Sequence, residues 1–254
     1  MGLRVLFLSC IIVAAAGGSL WLAAIGLPDG AGSARQNSLE QRVRRYLIAN
    51  PEVLNEAADA YQQRRKEREA AARINVMKGL KGTLRKSGGL PVLGNPKGDV
   101  TVVEFFDYRC PYCKRALTEL QRLVGEDKNL RLVFREFPIL GPQSLVASRA
   151  AIAAREQGKY LEMHDALMAY KGQLDEKTIM AIAAGQGVDI ARLRADMEKP
   201  QVMALINESM ILARRLGVRA TPTMIIGDVV HAGYAEMGVL KDLVARARAG
   251  CETC

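Results

Sequence analysis

Val100-Thr-Val-Val-Glu-Phe-Phe106, Asp107-Tyr-Arg109 and Cys110-Pro111-Tyr112-Cys113 follow one another without a break. The first stretch is rich in β-branched and aromatic residues and predicts a strand; residues 111–124 predict a helix. Pro111 suits the first turn of that helix. Cys110 then stands at a helix N-terminus, where unpaired N–H groups and the helix dipole stabilise a thiolate, the reactive form of cysteine. Cys113, one turn on, is placed to attack a mixed disulfide formed at Cys110. The pattern predicts thiol–disulfide exchange. Two cysteines separated by two residues also make half of a zinc site, and a second pair, Cys251-Glu-Thr-Cys254, keeps that alternative open. The strand–helix context favours redox chemistry for the first pair.

Upstream, Arg4 precedes an uncharged apolar stretch over residues 5–27. It reads as a signal peptide or a membrane anchor, being long enough to span a bilayer, with Ala31-Gly-Ser-Ala34 as a weak cleavage site. Either outcome places the remainder in an oxidising space, periplasmic or otherwise extracytoplasmic, with residues 5–27 as the anchor if retained. Cys10 lies inside the apolar stretch, and the other four cysteines form the two pairs. A domain held by structural disulfides distributes its cysteines differently. The net charge of +9 comes from scattered lysine and arginine with acids between them. No aromatic–basic pattern accompanies it, which argues against nucleic acid and leaves acidic clients or an anionic surface as partners.

The organisation follows from punctuation and periodicity. Residues 1–27 form the leader and 28–37 a small-residue linker. Residues 38–87 predict a helical extension. Ser38-Leu-Glu-Gln41 resembles a capping box, Val43, Tyr46 and Leu47 share a face, and Asn50-Pro51 caps a second helix. Val53, Leu54, Ala57, Ala58 and Tyr61 form its stripe, which has to be buried on the globular part or on another copy; length and separateness favour a homo-oligomer through residues 38–86. Gly79, Gly82, Gly88 and Gly89 predict a flexible junction. The globular part spans 90–250: strands at 92–93, 100–106 and 130–134 around the helix form a βαβ unit. Residues 140–217 form a helical insertion. Strands at 223–226 and 229–232 join through Gly227-Asp228, and a last helix covers 235–249. Residues 251–254 are a Cys-x-x-Cys tail. The fold class is α/β.

This order of elements resembles the thioredoxin fold. Glu104-Phe-Phe, Cys110-Pro-Tyr-Cys-Lys114, Arg135-Glu-Phe-Pro-Ile-Leu-Gly141, Tyr160-Leu-Glu-Met-His-Asp-Ala-Leu-Met168 and Ala220-Thr-Pro-Thr223 are similar to the DsbA family of exported thiol oxidoreductases. The extension with Asn50-Pro-Glu-Val-Leu54 resembles ScsC-type and BdbD-like members, and in the ScsC type such an extension mediates oligomerisation. The resemblance covers about residues 38–249. It implies Cys110 as nucleophile, Cys113 as resolving thiol, Pro222 as a cis-proline beside them, and Thr221 as the backbone that meets the disulfide and an extended client. Tyr112 stands where some relatives carry histidine, which implies a less acidic Cys110 and a milder oxidant; Lys114 is a compensating cation nearby. Glu104, an acid in an apolar strand, is expected to have a raised pKa and to exchange protons with Cys113. His164 and His231 read as structural, His164 by packing or capping within its helix.

The expected activity is to form, reduce or isomerise disulfides in exported proteins, working with a membrane reductase or oxidase. No cofactor is implied. The alternative is copper handling, with Cys251 and Cys254 as soft ligands for copper(I).

Overall fold

The structure is a computed structural model that describes residues 30–250; the leader at residues 5–27 and the pair Cys251 and Cys254 lie outside the described residues. The chain divides into two compact units at Gln62 and Gln63.

The first unit holds α1 (Gly30–Ala49) and the beginning of α2 (Glu52–Arg85). Because α1 starts at Gly30, the linker expected over residues 28–37 is helical from that point, and Ser38 lies inside a helix rather than capping one. Small residues such as Ala31 and Ala34 are as compatible with helix as with linker, which is why composition misplaced the start. Asn50 both closes α1 and opens α2: its side-chain amide donates to the Tyr46 carbonyl at 2.8 Å, and its own carbonyl accepts from the Val53 N–H at 3.2 Å. Leu39, Val43, Tyr46 and Ile48 on α1, and Leu54 and Tyr61 on α2, are exposed.

Helix α2 passes without interruption through Gly79 and Gly82, where a junction was expected. Each glycine costs a helix about 1 kcal/mol. Met77, Leu80 and Leu84 on the same turns are buried in the second unit, and burial of three such side chains outweighs that cost. The chain turns at Gly88 and Gly89 instead, with φ of +64° and +84°. Buried Arg135 holds the end of α2 by donating to the carbonyls of Thr83 (2.9 Å) and Lys86 and pairing with Glu208 at 3.1 Å.

The second unit is built on a five-stranded sheet in the order β1-β3-β2-β4-β5. Its strands are β1 (Leu93–Gly94), β2 (Val100–Phe106), β3 (Leu130–Glu136), β4 (Thr223–Ile226) and β5 (Val229–Ala232). Helix α3 (Pro111–Glu126) crosses between the parallel strands β2 and β3; the other pairings are antiparallel. The insertion comprises α4 (Pro142–Ala154), α5 (Tyr160–Ala169), α6 (Glu176–Gly185), α7 (Ile190–Met197) and α8 (Pro200–Leu216), and α9 (Met237–Gly250) closes the described chain. Alternation along the strands gives two cores. Val102, Phe106, Leu132, Phe134 and Met224 pack with α3, α5 and α9. Val103, Phe105, Val133 and Ile225 pack with α8 and the end of α2. At the start of β2, Asp99 holds Arg248 of α9 at 2.7 Å, and Asp127, just past α3, holds the same guanidinium at 2.9 Å. No helix among the described residues is long and apolar enough to cross a membrane.

Candidate active site

Strand β2 ends at Phe106, and the next residues form a rigid approach to α3. The buried Asp107 carboxylate accepts from the backbone of Arg109 (2.8 Å), Ile139 and Leu140 (2.9 Å each) and from the Ser144 hydroxyl (2.8 Å). The Asp107 carbonyl accepts from the Cys110 N–H at 3.0 Å. Cys110 is the N-cap of α3 with an extended backbone, and Pro111 occupies the first turn. Cys110 and Cys113 are both free thiols and both buried. Across from them the Thr221–Pro222 peptide bond is cis, and the Thr221 carbonyl lies 3.3 Å from Cys110 Sγ. The site thus gathers Cys110, Pro111, Tyr112, Cys113, Thr221 and Pro222 where β2 ends and β4 begins, with Glu104 within β2.

The two thiols are electrostatically unequal. The hydrogen bond from Cys113 holds Cys110 down to about 6, reinforced by the Thr221 side chain and the backbone N–H groups of Cys113 and Tyr112, against the opposing effect of burial. Cys113 is pushed well above the usual thiol range by burial, by that same hydrogen bond and by Glu104. Burial raises Glu104 to about 8, and a charge on Cys110 adds to it. Neither Glu104 oxygen has a hydrogen-bond partner among the described residues. Tyr112 is exposed, with the Arg115 guanidinium 5.8 Å from its ring and 4.4 Å from that of Tyr234. Lys114 does not serve as the expected counter-charge. Its ammonium is turned to the carbonyls of Leu167 and Tyr170, and the groups that lower Cys110 are neutral donors.

Sequence reasoning missed a second buried cluster beside this site. Glu136, at the end of β3, accepts from the hydroxyls of Tyr108 (3.0 Å), Tyr160 (3.1 Å) and Ser148 (2.8 Å). His164 Nδ1 lies 3.1 Å from the Tyr108 hydroxyl. Burial raises Glu136 to about 8 and lowers His164 to about 3. The available signal was an acid closing an apolar strand, paired with tyrosine and histidine four residues apart on one helix. Among the described residues no three His, Cys, Asp or Glu side chains are grouped to hold a metal.

Comparison with known proteins fits this geometry. A model of the DSBA-like thioredoxin domain matches residues 101–245, more than half of the chain. The chain belongs to the DsbA-like thioredoxin domain family. A second model, the copper resistance protein ScsC N-terminal domain, matches residues 36–68. Among solved DsbA-like relatives, a thioredoxin-like oxidoreductase from Silicibacter pomeroyi is 51% identical with a TM-score of 0.65, covering 66% of this chain and 97% of that one. The thiol-disulfide exchange protein alpha-DsbA2 from Wolbachia pipientis is 31% identical with a TM-score of 0.61, covering 69% and 97%. A linker-deletion mutant of Proteus mirabilis ScsC shares the fold at 23% identity, with a TM-score of 0.66 and 87% and 98% covered. A Na(+)/H(+) antiporter NhaA 1 of Salinispora arenicola is 34% identical over 161 residues, 63% of this chain. The chain spans about a quarter of the length of such curated relatives.

Proposed function

We propose that the protein is a thiol:disulfide oxidoreductase that forms, reduces or isomerises disulfides in extracytoplasmic proteins through Cys110 and Cys113. The observation that carries this is the asymmetry of the two thiols at one helix N-terminus: Cys110 lowered to about 6, Cys113 raised and buried. In the reduced protein the Cys110 thiolate attacks a client disulfide and releases one client thiolate. Cys113 then gives up its proton and attacks Cys110 Sγ; the Cys110–Cys113 bond forms and the second client thiolate leaves. Run in reverse, the same steps oxidise a client dithiol. A lowered nucleophile pKa stabilises the reduced protein and so favours the oxidising direction. Glu104 is the group beneath the pair able to take the Cys113 proton. Thr221 next to Pro222 presents the carbonyl beside which an extended client pairs.

The exposed apolar residues Leu39, Val43, Tyr46 and Ile48 support self-association through residues 38–86. Several active sites around one client suit an isomerase, which needs a dedicated reductant; a monomeric oxidase needs an oxidant instead. The apolar stretch at residues 5–27 supports export, with or without retention in the inner membrane. A copper-handling reading draws on the match to the ScsC N-terminal domain and on the tail thiols.

The test is reactivation of a scrambled disulfide substrate, beside oxidation of a dithiol peptide, in a glutathione buffer with Cys110→Ser as the blank. Cys110-dependent turnover in either assay is expected, and which assay responds assigns the direction. Absence of both overturns the reading and brings copper(I) binding forward.

A further inference from the structure

The rim of the dithiol site holds a guanidinium that no carboxylate of the described residues engages. Arg115 lies on α3, two residues past Cys113, and is exposed. Its guanidinium carbon sits 4.4 Å from the ring centre of Tyr234 and 5.8 Å from that of Tyr112, both within cation–π range. Tyr234 follows Gly233, whose N–H donates to the Pro222 carbonyl at 2.8 Å. One residue back, the Thr221 carbonyl lies 3.3 Å from Cys110 Sγ. These contacts run in a loop from the turn at Cys110 to the cis-proline segment and back. Arg115 is the link between the two tyrosines.

The other charges around the thiols are committed elsewhere. Residues 107–115, 219–223 and 233–236 carry four cations: Arg109, Lys114, Arg115 and Arg219. Arg109 donates to the Leu140 carbonyl, and Lys114 to those of Leu167 and Tyr170. Of the acids in the same segments, Asp107 is buried and accepts four hydrogen bonds, and Glu236 is exposed without an ion pair to Arg115. Glu119, one helical turn past Arg115, pairs with Arg122 at 3.6 Å instead. A basic residue four positions before an acid is the weaker order for a helical pair. A guanidinium stacked on aromatic faces keeps its in-plane N–H donors free, and their fork matches the two oxygens of a carboxylate.

We infer that Arg115 selects clients that carry an aspartate or glutamate two to three residues from the cysteine under exchange. The inference rests on the proposed roles of Cys110 and Thr221 and names the class of client that this site prefers. Arg115 stands five residues after Cys110, about 7.5 Å along the helix. An extended client advances about 3.3 Å per residue, so two to three client residues cover that distance. The client carboxylate takes the guanidinium fork from the open side, while the two tyrosine rings shield the other. Such a pair, partly withdrawn from water, is stronger than one in free solution. Arg115 acts on binding alone: the bonds to sulfur that form and break are those of the proposed exchange, unchanged.

The probe is a symmetric peptide disulfide: two copies of one otherwise neutral peptide joined through a single cysteine, with Glu, Gln or Lys two residues to either side of it. Symmetry makes the choice of sulfur attacked immaterial. Single turnovers of the reduced full-length protein at rising peptide concentration give a half-saturating concentration and a limiting rate. The parent should half-saturate at an about three- to tenfold lower concentration of the Glu peptide than of the Gln peptide, with the Lys peptide weakest and the limiting rates alike. The advantage should shrink as salt rises. Arg115→Gln should bring the ratio of Glu to Gln peptide to about one, and Arg115→Lys should restore part of it, supplying the charge without the fork. Cys110 should alkylate with the same pH dependence in the parent and in both variants, because Arg115 is not among the groups that set its acidity. A parent indifferent to Glu, or an Arg115→Gln variant that weakens all three peptides by one factor, overturns the inference. So does an Arg219→Gln variant that erases the preference as fully, because diffuse charge then selects. A parent that reduces none of the peptides refutes the proposed function itself, and the inference with it.

Discussion

Replacing Cys113 separates two explanations for a reactive Cys110. If the helix terminus alone acidifies Cys110, the identity of residue 113 is immaterial. The structure assigns the largest share to the hydrogen bond from Cys113. A hydrogen bond to a charged group is worth about 1.5–3 kcal/mol, and one pKa unit corresponds to about 1.4 kcal/mol. Cys113→Ala should therefore raise Cys110 by roughly 1–2 units from its value near 6. At pH 7 the thiolate fraction falls from about nine-tenths to between roughly a half and a tenth. Cys113→Ser keeps a donor at the same place and should stay close to 6. The assay is the pH dependence of Cys110 alkylation, checked by the ultraviolet absorbance of the thiolate, with the tail pair Cys251 and Cys254 changed to serine in every sample. Serine and alanine variants titrating together near 6 would refute the reasoning and return the effect to the backbone N–H groups.

Three further outcomes follow from the packing. Glu104 binds its proton up to about pH 8 when folded but only to about 4.5 when unfolded, so its burial costs increasing stability as pH rises between those values. Glu104→Gln should stabilise the reduced protein by roughly 3 kcal/mol at pH 7 and by little at pH 4, read from urea denaturation; a benefit that does not change with pH contradicts this. Gly79→Ala meets no atom within 4 Å in the middle of α2 and should add about 0.5–1 kcal/mol, where a loss would show that the turn needs glycine. On the proposed self-association through residues 38–86, Val43→Glu, which places a charge among the exposed apolar residues of α1, should lower the sedimenting mass toward that of one chain; an unchanged mass overturns that proposal.

Legibility in the sequence followed range. The strand before Cys110, the helix after it and the hairpin at Gly227-Asp228 are set by neighbours a few residues apart, and the structure has them within two residues. Glu104 was legible as a misfit, because an acid among β-branched and aromatic residues has few places to point. The glycines in α2 were misread because their local cost is visible in sequence, whereas the burial of Met77, Leu80 and Leu84 that offsets it depends on a sheet formed later in the chain. Glu136, Tyr108 and His164 were invisible as a group for the same reason. They are 28 and 56 residues apart, and only strand register and the seating of α5 make them neighbours. Lys114 lies one residue from the reactive pair in sequence, yet its ammonium is turned to carbonyls at the end of α5.

The clamp on Arg248 ties α9 to the far end of the helix that carries the reactive thiol. Asp127 follows directly on α3, and Cys110 caps the other end of that helix. Sixteen residues of helix separate them by about 24 Å, and α9 leaves the described chain at Gly250, two residues beyond the clamped arginine. The clamp therefore grips the end of α3 remote from the reactive thiol. The pull that seats α9 is thus applied at one terminus of α3 while the chemistry sits at the other, so loosening the clamp should cost stability before it touches the thiol.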